Sequence, residues 1–442
     1  MPDSPLATAP AEPQQSPPEI PPEKLDPEAL KVLRHLRRNG HQAYLVGGCV
    51  RDLLLGRSPK DFDIATSASP EEVQDTFTNC RLIGRRFRLA HVYFKGRKII
   101  EVSTFRKNPI DEIVATADAG EPLPEGDLLI AEDNVFGTDE EDARRRDFTV
   151  NGLFYDVSLE QTIDYVGGRA DLEARTIRTI GNPEIRMRED PVRVLRAIRF
   201  AARLGFEIEP ATAEAMRIHA KDLSRCAPAR VLEETLRLLR CGHSSRAFQL
   251  AREMGVLALL LRPVAEFLDA CGPEEAARVF GLLATADRRV REGTPTDDSL
   301  LLATLLLRLA QPGKDSGAPA IPIEPLLQDL VRSSRLPKRI AEGTRLLVLA
   351  QRALLGERRK RGSPNRFVRS RHFPDALALL AMNAEVSGEG NEQLDRWRQR
   401  RTTVEPLHPA AAEPPGAEPL RVPLPEPLSA DRPEAFAFSH LL

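Results

Sequence analysis

At 442 residues the chain is too long for one compact domain, and length alone suggests two to four. Its 63 basic and 65 acidic residues leave a net charge of −2, so no whole-chain positive field draws it to nucleic acid. No apolar run approaches the roughly 18 residues of a membrane span. The five cysteines (Cys49, Cys80, Cys226, Cys241, Cys271) form no C-x-x-C pair, which argues against a zinc cluster and for free thiols in a reducing, cytoplasmic setting.

Residues 1–24 hold eight prolines and few large apolar side chains, so they are expected to be disordered. Residues 26–39 carry Ala29, Leu30, Leu33 and Leu36 on one helical stripe. Ala43–Val46 reads as a short strand ending in Gly47-Gly48, Val50–Leu55 as a helix, and Asp61–Ala65 as a strand. Ser69-Pro70-Glu71-Glu72 has the form of a capped helix start. His91–Phe94 and Lys98–Phe105 read as strands around a Lys95-Gly96-Arg97 turn, and residues 107–132 as a polar loop. Glu140–Asp156 is expected to be a helix broken near Asp147, and Thr162–Val166 a further strand. From 183 to about 400 the period is helical, with a Gly- and Pro-rich loop at 311–323. Residues 402–442 read as a proline-rich tail.

The strongest constellation is Gly47-Gly48 followed at short range by Asp61-Phe62-Asp63. Residues two apart in a strand point to one face, so Asp61 and Asp63 are expected to present two carboxylates together. Such a pair suits Mg²⁺, which takes oxygen ligands and bridges to phosphates, and two such ions can clamp a phosphoryl-type transfer. A glycine turn before a helix leaves backbone N–H groups free for a triphosphate, with Arg51 adding charge. Alone, a Gly-Gly or a D-x-D is usually a tight turn or a surface acid pair; the order and spacing together favour function.

This combination resembles the nucleotidyltransferase superfamily signature. Three later segments resemble the further motifs of the family shared by class II tRNA nucleotidyltransferases and bacterial poly(A) polymerases. They are Arg145-Arg146-Asp147-Phe148-Thr149-Val150-Asn151, then Asp164-Tyr165-Val166-Gly167-Gly168 with Asp171-Leu172, and Glu189-Asp190-Pro191-Val192-Arg193 through Phe200. The likeness runs from about residue 43 to 240 and weakens towards 400. It implies an α+β protein: a nucleotidyltransferase α/β head with a mixed sheet over residues 25–182, a helical base-recognition neck over 183–260, and a helical RNA-binding body over 261–401, followed by the 402–442 tail. It implies ATP as substrate and two Mg²⁺ held by Asp61 and Asp63, with Asp147 as third catalytic carboxylate. Glu101, in the 99–105 strand, is a rival by position. Gly47, Gly48, Arg51 and Arg146 are assigned to the triphosphate and Asn151 to the ribose. Asp190 and Arg193 are assigned to the base edge, where a carboxylate accepts from an exocyclic amine and a guanidinium donates. Arg196 and Arg199 are expected to assist them. The bland reading of the 189–203 stretch is one amphipathic helix with i,i+4 ion pairs.

Poly(A) addition and CCA addition share all four motifs. Leu82-Ile83-Gly84-Arg85-Arg86-Phe87-Arg88-Leu89-Ala90-His91-Val92 resembles the signature of bacterial poly(A) polymerases, which makes polyadenylation of RNA 3′ ends the first expectation and CCA addition the second. A non-catalytic RNA or nucleotide binder would have lost one of Asp61, Asp63 or Asp147, and all three are present. A small-molecule nucleotidyltransferase would leave the long helical body unexplained. Between Arg332 and Arg371 there are 13 Lys or Arg and two acids, Glu342 and Glu357, a local footprint suited to phosphates. The 402–442 tail is proline-rich and carries more acids than bases, so this footprint is the better RNA candidate.

Overall fold

The computed structural model describes residues 19–84, 88–108, 135–356 and 364–404. Seven strands form one mixed sheet: β1 (Ala43–Val46), β2 (Asp63–Thr66), β3 (Cys80–Ile83), β4 (Leu89–Tyr93), β5 (Ile99–Thr104), β6 (Leu153–Asp156) and β7 (Gln161–Asp164). Their order is β3-β4-β5-β2-β1-β6-β7, with β2 and β5 parallel and every other neighbouring pair antiparallel.

Strand β1 is buried along its whole length, as its unbroken apolar run requires. Alternation sends Ala43 and Leu45 into the main core, while Tyr44 and Val46 join a second cluster with Ala65, Phe105, Ala143 and Phe154. The Pro27–Arg38 helix, capped by Asp26 at the N–H groups of Glu28 and Ala29, packs Val32, Leu33 and Leu36 into the main core. The Ser69–Glu72 capping box forms as expected and opens the Pro70–Thr76 helix.

Several elements depart from the sequence expectation. Residues 19–24 are held: Ile20 is fully buried, and Glu19 accepts from the Thr162 N–H and pairs with Arg169. A single apolar residue with a distant ion pair offsets the proline-rich composition there. Strand β2 begins at Asp63, leaving the exposed Asp61 just before it. The expected Glu140–Asp156 helix is only Asp139–Arg144, opened by a Thr138–Glu141 capping box. The chain then turns because Phe148 bridges to Thr179 and the Thr149 N–H donates to the Arg178 carbonyl, and Leu153–Asp156 becomes β6 between β1 and β7. Non-local pairing overrides local periodicity. Cys80–Ile83 is a strand that the sequence pattern did not assign.

Beyond Asn182, which caps the Pro183–Glu189 helix, the described chain is helical apart from Glu207–Ile208, which pairs with Thr176–Ile177 and ties the helical part to the head. The expected 189–203 helix is two: Pro183–Glu189 and Arg193–Leu204, broken at Asp190-Pro191-Val192. Proline removes a backbone donor and disfavours helical conformation in the residue before it; Asp190 is extended at φ −148°. Further on, the Asp298–Ala310 helix is apolar all round and buried from Ser299 to Leu309, the mark of a central helix. The Asn391–Thr403 helix runs into the start of the expected tail. No helix among the described residues is long and apolar enough to cross a membrane. Residues 1–18, 109–132 of the expected polar loop and 405–442 of the expected tail lie outside the described residues, as do 85–87 of the Leu82–Val92 signature and Arg358–Arg361 of the basic cluster. Arg332, Arg335, Lys338, Arg339, Arg352, Arg366, Arg369 and Arg371 are exposed.

Candidate active site

A cavity of ≈ 770 Å³ opens between the sheet and the first helices that follow it, the neck. Gly47, Gly48, Arg51, Asp63, Glu101 and Arg146 line its head side; Asp147, Asn151, Asp190, Arg193, Arg196, Arg203 and Arg230 complete it towards the neck. The site residues expected from sequence line it, except Asp61, which still acts on Asp63, and Arg199, whose guanidinium stacks over the lining Phe200 at 4.5 Å.

The head corner gathers carboxylates with only partial compensation, His91 Nε2 standing 3.6 Å from Glu101. Parallel pairing sets Asp63 directly against Glu101. Burial pushes the Asp63 carboxyl up to about 6; Glu101 and then Asp61 add to the rise, against a lowering by Arg146. Gly47 turns the chain at φ +71°, a conformation that favours glycine, and the Arg146 guanidinium packs against the turn, 2.8 Å from where a Cβ would stand. Arg146 is aimed by Asp142, fully buried, which accepts from Nε at 3.3 Å and Nη2 at 2.9 Å and also holds Arg145.

The neck corner is fully compensated. Glu189 is buried and accepts from Arg186 and Arg193 at 2.7 Å each and from Asn108 at 3.0 Å. Arg186 in turn donates to the carbonyls of Arg145 and Arg146, joining this corner to the head. Asp147 accepts from Arg196 at 2.6–2.8 Å and from Asn151 at 3.1 Å. Burial alone would raise its carboxyl, but Arg196 and these hydrogen bonds outweigh it and hold it down to about 2. Arg196 and Arg199 share a further partner, Glu234 of the Pro228–Arg240 helix. Asp190 accepts the Val192 N–H on Oδ1 and pairs with Arg230 through Oδ2 at 2.6 Å.

Arg51 and Asn151 are placed beneath the glycine turn. Arg51 is 2% exposed, donates to Asp52 at 2.7–2.9 Å and to Asn151 Oδ1 at 2.5 Å, and burial lowers its pKa. Asn151 thus links Arg51 to Asp147. Sequence reasoning missed Asp142, Glu189 and Glu234 as holding groups. Each carried a signal, an acid three or four residues before an arginine, but Glu234 also reaches Arg196 and Arg199 on another helix, which no local spacing records.

Among the described residues no three His, Cys, Asp or Glu side chains form a ready-made metal cage. One or two carboxylates completed by substrate phosphates is the usual habit of Mg²⁺. The donors fit: Asp63 and Glu101, set side by side by the strand register, are hard oxygen donors with Asp61 two residues before, and a divalent cation would offset the carboxylate repulsion that adds to the burial-driven rise of Asp63.

Carboxylates set against a Gly-Gly turn on a mixed sheet, facing an arginine-rich cavity walled by a helical neck, define a nucleotidyltransferase. A family model described as the Poly A polymerase head domain matches residues 43–178, and one described as the probable RNA and SrmB-binding site of polymerase A matches 205–268. Poly(A) polymerase I of Salmonella typhi is 41% identical over 384 residues, 84% of this chain and 80% of that protein. Its counterpart from Haemophilus influenzae is 38% identical over 86% of this chain and 85% of that protein. The CCA-adding enzyme of Geobacillus stearothermophilus is 39% identical over only 53% of this chain and 54% of its own. The crystal structure of the Bacillus stearothermophilus CCA-adding enzyme in complex with CTP matches at a TM-score of 0.59 and 28% identity, covering 86% of this chain and 83% of that one. The chain belongs to the poly(A) polymerase family.

Proposed function

We propose that the protein extends RNA 3′ ends without a template, transferring AMP from ATP. The observation that carries this reading is the reach of the sequence likeness: relatives named Poly(A) polymerase I match in sequence over 84–86% of the chain, body included, whereas the CCA-adding relative matches in sequence over 53%. The 3′-hydroxyl gives up its proton to solvent, its oxygen forms a bond to the α-phosphorus, the bond from that phosphorus to the bridging oxygen breaks, and pyrophosphate leaves with that oxygen. Mg²⁺ held by Asp61, Asp63 and Glu101, one ion or the pair first expected, would neutralise phosphate charge and activate the attacking hydroxyl.

Glu101, rather than Asp147, is the third carboxylate of this set. Its register against Asp63 and its effect on that group support the assignment, while both oxygens of Asp147 are committed to Arg196, Asn151 and the Phe148 N–H. Asp147 then acts by holding Arg196. Gly47, Gly48 and Arg146 meet the triphosphate, Arg51 and Asn151 support the turn, and Asp190 with Arg193 reads the base. Arg199 braces Phe200 and Glu234 behind them. Catalysis is positioning and charge neutralisation. The exposed arginines of 332–371, joined by Arg396, Arg398, Arg400 and Arg401 on the last described helix, form the RNA track.

The test is a primer ending before CCA in a tRNA-like acceptor, offered Mg²⁺ and each nucleoside triphosphate separately. Long ladders with ATP and little product with CTP are expected. Two efficient C additions followed by one A would replace this reading with CCA addition.

A further inference from the structure

The sheet continues past the cavity. Strands β4 and β5 send Ala90, Val92, Ile100 and Val102 into the main core and turn their alternate residues outward. Register sets Arg81, His91, Glu101 and Asp63 in one row across β3, β4, β5 and β2, so the four share this outer face. Ile83 and Ile99 lie two residues from members of the row and stand exposed, so the face is open to solvent. His91 Nε2 is 3.6 Å from Glu101, and the Tyr93 ring, two residues along β4, is centred 6.3 Å from the His91 ring. Arg81 is exposed, pairs with no carboxylate among the described residues, and places its guanidinium 5.9 Å from the centre of the Tyr93 ring.

We infer that this outer face of β3, β4 and β5 is the platform for the 3′-terminal nucleotides of the RNA primer, with His91 and Tyr93 stacking on bases and Arg81 meeting a phosphate. The reacting 3′-hydroxyl has to arrive beside Asp63 and Glu101. From that pair the row leads directly along the sheet onto two rings and a cation. Single-stranded RNA can splay its bases, and an open sheet face carrying aromatic rings and a guanidinium is a recurrent way to hold them. Every base has a ring face, so stacking tolerates any terminal sequence, as extension without a template requires. The arginines of the body hold phosphates farther along the RNA; the sheet face orients the end that reacts. His91 also gives the Leu82–Val92 segment a part in the site, because it brings that segment against Glu101.

The inference rests on the functional reading above, and the two fail separately. Addition of a single AMP to a short RNA primer is measured for the unaltered protein, Tyr93→Leu and Tyr93→Phe, with thermal melting of each. The expected result is a kcat/KM for RNA lowered about tenfold in Tyr93→Leu and largely restored in Tyr93→Phe, with KM for ATP unchanged within about twofold. A ring that only packs the sheet would lower the melting temperature and depress both substrates together, and that outcome overturns the inference. So does a kcat/KM for RNA within about twofold of the unaltered protein in Tyr93→Leu. Should Tyr93→Leu not fold, Arg81→Gln decides, since its side chain is exposed: the log–log salt slope of primer binding should fall by about 0.7, and an unaltered slope overturns the inference. A second arm needs no transfer. A primer ending in 4-thiouridine is irradiated on the unaltered protein without ATP, and the adduct should map to β4; an adduct confined to the neck or body overturns the inference. If the unaltered protein adds no AMP to RNA, the functional reading fails instead.

Discussion

The two corners of the cavity are built on opposite electrostatics. At the head, Asp63 is withdrawn from water against Glu101 with too little positive charge nearby, and its carboxyl rises to about 6. At the neck, Asp147 is also withdrawn from water, yet arginine and asparagine hold it down to about 2. The contrast separates the part of the site that folding completes from the part that substrate completes. The neck is preorganised: Asp147, Glu189 and Asp190 each already have a cation. The head keeps a carboxylate whose charged form is disfavoured by burial and by Glu101, which a bound cation would relieve.

The largest effect is expected from dismantling the unsatisfied corner. Asp63→Ala or Asp61→Ala should lower kcat at saturating Mg²⁺ by roughly a thousandfold or more, because a lost metal ligand costs several kcal/mol of transition-state stabilisation. Single-nucleotide incorporation measures it, and activity within about tenfold of the unaltered protein would remove both residues from the metal site.

Setting Glu101→Gln against Asp147→Asn tests the division of labour. Glu101→Gln should lower kcat about a hundredfold with the melting temperature unchanged. Asp147→Asn strips Arg196 of its main partner and should cost about 2–3 kcal/mol of stability in denaturant unfolding at pH 7. That loss should fade only as the pH falls from 3.8 towards 2, where the native carboxylate itself becomes protonated. Equal stability losses in the two variants would erase the contrast between the corners.

The same contrast predicts a stabilised but dead enzyme. With divalent metal chelated, the native state is penalised for keeping Asp63 charged above pH 6, and not at all below 3.8, where folded and unfolded chains are both protonated. Asp63→Asn should therefore be more stable by roughly 1–3 kcal/mol at about pH 8. The gain should shrink through pH 6 and vanish near 3.8, and excess Mg²⁺ should narrow it by stabilising only the unaltered protein. A gain independent of pH would locate its origin elsewhere. The smallest effect concerns RNA. Replacing Arg366, Arg396, Arg398 and Arg401 by glutamine should lower the log–log salt slope of RNA binding by about 0.7 per lost phosphate contact. An unaltered slope would make that face an ordinary solvated surface.

A good part of the fold and site is legible in the sequence. The Gly47-Gly48 turn, the D-x-D, Asp190 with Arg193 and the capping box at Ser69 are local patterns whose meaning is set by a few neighbouring residues. Pro191 also signals a helix break, although the amphipathic period across 189–203 conceals it. An α/β head and a helical body follow from strand-length and helix-length periodicities of long segments, while the mixed sheet follows from the family resemblance.

The chain alone states which chemical groups the protein owns and the order in which they come; packing settles which of them meet. Glu101 joins Asp63 because β5 lies parallel to β2, and Asp147 turns towards Arg196 because Asn151 and the Arg193–Leu204 helix claim its oxygens. Arg230 reaches Asp190 across 40 residues of chain, and Glu234 reaches Arg199 across 35. Helix and turn patterns are short-range and leave a periodic trace. Ion pairs between elements depend on packing that brings distant segments together, and no local spacing records it.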